Sequence, residues 1–135
     1  MKAKIGTVLV GLALTATMAL AQPRQRARMP IYDVSKEATI SGKIEDVQQM
    51  QHGRMTGIHF LVKTETETVD VHLGPSYFIE NQGFHFAKGD QVEVLGSRVK
   101  MGDSEVFIAR EVTLDGKKLT LRDSTGRPKW ARGRT

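Results

Sequence analysis

Two histidines of this 135-residue chain lie in short alternating stretches, His59 in GIHFLVKT and His72 in VDVHL. In the first stretch Ile58, Phe60 and Val62 form an apolar phase, and His59 falls on the other phase. In the second, Val69, Val71 and Leu73 are apolar, while Asp70 and His72 are not. Such alternation marks half-buried strands. If the two pair antiparallel with their apolar faces together, a two-residue loop at Glu65-Thr66 places His59 directly opposite His72. A four-residue loop makes them diagonal neighbours. Either way, two imidazoles share an outward face with the Asp70 carboxylate. Neutral imidazoles suit Cu, Zn or Ni. The plainer reading is a pair of polar residues on a solvated sheet face.

A second donor set lies in QQMQHGRMTG, where Met50, His52 and Met55 offer two thioethers and an imidazole, a soft combination suited to Cu(I). Local propensity favours a simpler account, in which Met50 completes the core face of a strand and His52-Gly53 makes a turn. A third set is cationic. Arg24, Arg26 and Arg28 precede the patterned region, and Arg127, Lys129, Arg132 and Arg134 follow it with Trp130 among them. Basic grooves with exposed aromatics bind single-stranded nucleic acid. Between these ends, however, acidic and basic residues roughly balance, so nucleic acid is disfavoured. The ends read better as solubilising arms or as contacts to an anionic membrane surface or an acidic partner.

Catalytic patterns are missing. Ser76 sits in GPSYF rather than a G-x-S-x-G elbow, and no H-E-x-x-H or Walker-type loop occurs. The chain has no cysteine, which excludes disulfides, covalent c-type haem, thiolate metal sites and cysteine nucleophiles. A non-enzymatic protein without a resident cofactor is expected, with Cu or Zn as the metals the histidines would suit.

The elements that must position these residues begin after a leader. Lys2 and Lys4, an apolar run from Ile5 to Leu20 and a small-x-small Ala19-Leu20-Ala21 site read as a signal peptide over 1–21, cleaved after Ala21. The run is somewhat short for a membrane span. A periplasmic or secreted mature chain is expected, without a transmembrane span. Its net charge falls from +5 to about +3 as the two lysines leave. Residues 22–37 read as an exposed basic lead-in, 38–126 as one folded domain and 127–135 as a basic tail.

The domain reads as β. Ile40, Ile44 and Val47 surround Gly42, which suggests a bulge or bend. Val92 and Val94 precede Gly96. In EVFIAREVTL, Arg110 falls on the apolar phase, so the strand is expected to have a bulge or to leave the core there. Asp115-Gly116 is a tight-turn dipeptide before KLTLRD. Between the third and fourth strands, VHLGPSYFIENQGFHF breaks its alternation. Pro75 suits the first position of a helix and Gly83 suits the position just past its end, with Phe84 brought back onto Ile79. One short helix between strands three and four is the arrangement of the OB-fold, a Greek-key barrel of five to six strands. A six-stranded sandwich gives no reason for that helix.

The segments TISGKIEDV, TGIHFLVKTE, VHLGPSYF, KGDQVEVLGSRV, IAREVTLDG and LTLRDSTGRPKW, in this order, resemble small exported bacterial OB-fold proteins of the MamS/MamX magnetosome type. The resemblance runs from about Thr39 to Trp130. It implies an all-β OB-fold, export, and a C-terminal tryptophan, here Trp130, that folds back to plug a barrel end, and it says little about a ligand. Some relatives of the MamX type carry CxxCH haem motifs; this chain has none, so a haem-linked role does not carry over. The combined expectation is an exported OB-fold binding module for a partner protein or small ligand, using His59, His72, Asp70 and Arg110. The alternatives are a metal-handling or redox-accessory protein using His59, His72, His52, Met50 and Met55, and a nucleic-acid-binding OB protein.

Overall fold

The computed structural model describes residues 31–131. The leader, Arg24, Arg26 and Arg28 of the lead-in, and Arg132 and Arg134 of the tail lie outside the described residues. Six strands follow in order: β1 Glu37–His52, β2 Met55–Lys63, β3 Thr68–Pro75, β4 Gln91–Met101, β5 Ser104–Leu114 and β6 Lys117–Thr120, with α1 Ser76–Asn81 between β3 and β4. They make one sheet in the order β3-β2-β1-β4-β5-β6, and β3 also pairs parallel with β5. That contact, Val71 with Phe107 and His72 with Ile108, closes strands one to five into a ring with β6 on its margin. The OB-fold-like reading holds, and the sandwich does not.

Closure requires β1 to serve two neighbours. Its first half pairs with β4 and its second half with β2. The change of direction carries a bulge, because Ile44 faces Val62 but Asp46 already faces Leu61, leaving Glu45 as the extra residue. The expected bulge at Gly42 is therefore displaced by three residues. Gly42 has a different reason to be glycine: a Cβ there would collide with the Lys63 backbone carbonyl and come within 2.8 Å of the Val62 side chain. The bulge also inverts the phase of β1. Ile40 and Ile44 are buried, and the next inward residue is Val47. Met50 consequently faces out at 41% exposure, so it does not finish the core face as its local context suggests.

The bulge expected at Arg110 is present. Leu95 faces Glu111 and Gly96 faces Ala109, which leaves Arg110 unopposed. The helix cap is also as expected at its C-terminal end. Gly83, at φ +78, donates to the Glu80 carbonyl at 2.9 Å, and Phe84 donates to Ile79 at 3.2 Å, the paired bonds of a glycine-terminated helix. Pro75 differs by one position. With ψ 136 it is still extended, pairs across from Gly57, and stands as the N-cap rather than the first helical residue.

Inside the ring, Phe60, Phe107, Val62, Val71, Val94 and Val112 are fully buried, and Ile79 of α1 joins them. Phe86 packs on Phe60 with centroids 5.3 Å apart. Each such side chain contributes about 1.5–3 kcal/mol on burial.

The two ends of the described residues are bound together. Arg122 lies between the Tyr32 and Trp130 rings, 5.5 and 5.3 Å from their centroids, and donates to the Gly126 carbonyl at 2.9 Å. Trp130 covers Gly74 so closely that a Cβ there would come within 2.5 Å of the indole. The close approach of β4 and β5 at their bulge supplies the test. A Cβ at Gly96 would run into the Ile108 carbonyl and lie 2.6 Å from the Phe107 ring. Gly96→Ala is expected to lose about 1–3 kcal/mol, read as a lower urea midpoint with unchanged slope.

Candidate functional site

The β2–β3 register puts His59 directly opposite His72 and Leu61 opposite Asp70, as the two-residue loop geometry requires. His59 Nδ1 lies 2.9 Å from Asp70 Oδ1, and His72 Nε2 lies 3.3 Å from Asp70 Oδ2. An ionised carboxylate only accepts hydrogen bonds, so both contacts are N–H groups donating to it. The imidazole centroids are 5.0 Å apart with planes inclined at 47°. One carboxylate is therefore gripped by two imidazoles on adjacent strands.

The face is not solvated as the plain reading of the sequence supposes. His59 is only 8% exposed, and its other nitrogen, Nε2, is buried without a partner. Burial pushes the Asp70 carboxyl up, but the hydrogen bonds from His72 and His59, with their charges, outweigh it and leave the group below its ordinary value. One donor atom from each of His59, Asp70 and His72 lies within 4.8 Å of the others. The two contacts to Asp70, which use its two different oxygens, are near the edge length of a metal polyhedron, and the remaining edge must close from up to 4.8 Å. With ligand bonds of about 2.0–2.1 Å, donors around a tetrahedral ion stand roughly 3.3 Å apart. A cavity of about 160 Å³ opens beside Asp70, bordered by Glu67, Thr68, Arg98, Glu105 and Val106.

Arg98 spans that cavity, donating to Glu67 at 2.6 Å and to Glu105 at 3.2 Å. Its guanidinium is held above its ordinary value, first by the Glu67 hydrogen bond, against the opposing effect of burial. Sequence reasoning missed this bridge. Its members come from the β2–β3 loop, β4 and β5, and no local pattern reports that they meet.

The remaining candidates divide. Arg110 is committed elsewhere: its Nη1 donates to both Glu37 oxygens, at 3.0 and 3.2 Å, and the Tyr32 hydroxyl donates to the same carboxylate at 2.8 Å. The Glu37 bond raises the Arg110 guanidinium above its usual value. Arg110 thus joins the lead-in to β5 instead of joining the histidines. Met50, His52 and Met55 sit at the tip of the β1–β2 hairpin on the same outward face as His59. The turn occupies Gly53 and Arg54, so His52 is the last residue of β1 rather than part of the turn. Of the cationic set, Arg127 and Lys129 are exposed, whereas Trp130 packs on Phe78 with centroids 5.6 Å apart.

The lowered Asp70 value has a signed consequence. A carboxyl depressed in the folded state stabilises the fold above its unfolded pKa of about 3.9, and that contribution is lost as pH falls through the folded value. Urea midpoints taken from about pH 5 down to pH 2 should fall more steeply in the parent chain than in Asp70→Asn. Parallel curves would remove the link.

Comparison with curated proteins finds no match. The family model described as the MamS/MamX magnetosome protein family matches residues 36–119, which runs from the start of β1 to the end of β6 and covers more than half of the chain. No helix among the described residues is long and apolar enough to cross a membrane. With the ring, its helix and that match together, the chain belongs to the MamS/MamX magnetosome protein family.

Proposed function

We propose that this chain is an exported, non-enzymatic binding module of the magnetosome apparatus that holds a first-row divalent cation at His59, Asp70 and His72. The observation that carries the reading is the doubly gripped carboxylate. Two imidazole nitrogens and a carboxylate converge from paired strands at 2.9 and 3.3 Å. The backbone ladder sets their positions before any ligand arrives, which lowers the ordering cost of binding. Mixed imidazole and carboxylate donors select borderline ions such as Zn, Cu(II), Ni, Co or Fe(II), and not Ca or Mg.

Three protein donors leave at least one coordination position for water or an incoming group. Asp70 borders the cavity, so the free position has room beside it. Such a site exchanges its ion more readily than a closed structural site. The leader expected over residues 1–21 supports placement outside the cytoplasm, where the site would meet metal without competition from cytoplasmic thiols.

The cavity also favours a second use of the same face. Arg98 and its two flanking carboxylates could hold a small polar ligand or a side chain of a partner protein. Metal titration separates the two uses. Calorimetry of the mature chain should show one equivalent of Zn or Cu(II) taken up with a Kd of about 1 µM or tighter. His59→Ala/His72→Ala should lose at least tenfold in affinity. Co(II) should give ligand-field bands that the double variant lacks. Absence of uptake by the parent chain at micromolar metal overturns the reading.

A further inference from the structure

The β1–β2 hairpin tip carries donors of a different kind. His52 pairs with Met55 and Met50 pairs with Gly57. Alternate residues of a strand share a face, as do directly opposed residues of paired strands. Met50, His52, Met55 and Gly57 therefore occupy one patch of the outward face. Met50 and Met55 are 41% and 43% exposed, and His52 is exposed beside them. The bulge at Glu45 turns Met50 and His52 outward and the alternation of β2 turns Met55 the same way, so packing of the ring does not account for two methionines in solvent.

Gly57 makes room among them. The His52 ring lies over it, with Cδ2 at 3.4 Å and Nε2 at 3.8 Å from the place a Cβ would occupy. The imidazole nitrogen thus stands over the residue directly opposite Met50, with Met55 across from His52 itself. Met50 and Met55 are diagonal neighbours, about 7–8 Å apart at Cα, a span that two long flexible side chains cover. Gly53, at φ +63, holds the two-residue turn and with it the register.

We infer that Met50, His52 and Met55 form a second metal site, selective for Cu(I). Two thioethers and one imidazole are soft donors and bring no charge. They suit a monovalent d10 ion content with three ligands, and they serve poorly for Zn, Ni or Fe(II), which favour imidazole with carboxylate. Along β2, Met55 and His59 are four residues apart, roughly 13 Å of strand. One sheet face thus bears a soft exposed site at its tip and a harder, half-buried site at its base. The soft site stands independently of the divalent-cation reading, and the ion binds in the oxidation state in which it is supplied.

The test is anaerobic competition of the mature chain against a chromophoric Cu(I) chelator such as bicinchoninate. The parent chain should withdraw one equivalent of Cu(I) from the chelator. Met50→Leu/Met55→Leu, which keeps the apolar bulk, should lose at least tenfold in affinity, and so should His52→Ala. His59→Ala/His72→Ala should compete like the parent, which separates this site from the divalent one. Titration with Ag(I), a redox-inert substitute, should shift the Met50 and Met55 methyl resonances in NMR spectra. A parent chain that withdraws no Cu(I), or a double-leucine variant that competes as well as the parent, overturns the proposal. Loss of competition only in the His59/His72 variant does the same.

Discussion

Closure of the sheet through the parallel contact of β3 with β5 is the constraint on which the rest of the molecule depends. An open sheet of these strands would expose both outer edges and leave the Phe60–Phe107 interior half wetted. Joining Val71 to Phe107 and His72 to Ile108 removes two edges at once. It also imposes costs that the sequence meets locally. β1 must bend and take a bulge at Glu45, β5 must take one at Arg110, and backbones must cross at Gly42 and Gly96. None of these features can be altered alone, because each sets the phase of the strand beyond it.

The candidate site belongs to that seam. His72 is a member of the closing pair, Asp70 precedes it by one alternation, and the Glu67–Arg98–Glu105 bridge spans the same junction. The seam explains why charged and titratable side chains gather there. Parallel pairing at this point is short, so side chains complete the closure where backbone bonds run out. The Asp70 carboxylate accepts from two imidazoles while staying ionised, and a cation held by all three requires each ligating nitrogen to pass its proton to the other ring nitrogen or to water. Seam and hairpin tip are the two ends of one face, and the change from carboxylate and imidazole to thioether and imidazole along it is a change in chemical softness over a few residues.

The two ends of the described residues meet on one cation. Arg122 stacks against Tyr32 from the lead-in and Trp130 from the tail. Burial pulls its guanidinium below the ordinary value, with partial compensation from Tyr32. The two rings beside the guanidinium offset part of that cost by cation–π attraction. Segments that composition marks as solvated arms are thus partly structural, and Trp130 over Gly74 seats the tail near the N-terminus of α1.

Much of this architecture was legible in local sequence. Alternation named the strands, Gly83 named the helix end, Asp115-Gly116 named a turn, and the misplaced charge at Arg110 named a bulge. Parity of the apolar positions in β2 and β3 sufficed to bring His59 opposite His72, because antiparallel pairing with one buried face allows few registers. Local pattern put the irregularity of β1 at Gly42 and Met50 on the core face, because the spacing from Ile44 to Val47 changes phase only if Glu45 is an extra residue, which the pairing with β2 decides. What sequence could not supply were quantities set by distant chain segments: the burial of His59, the capture of Arg110 by Glu37, the Arg98 bridge and the stacking of Arg122. Local pattern reports which face a residue occupies, since that follows from backbone geometry. Only the closed fold decides what lies against that face, since that depends on strands far apart in the chain.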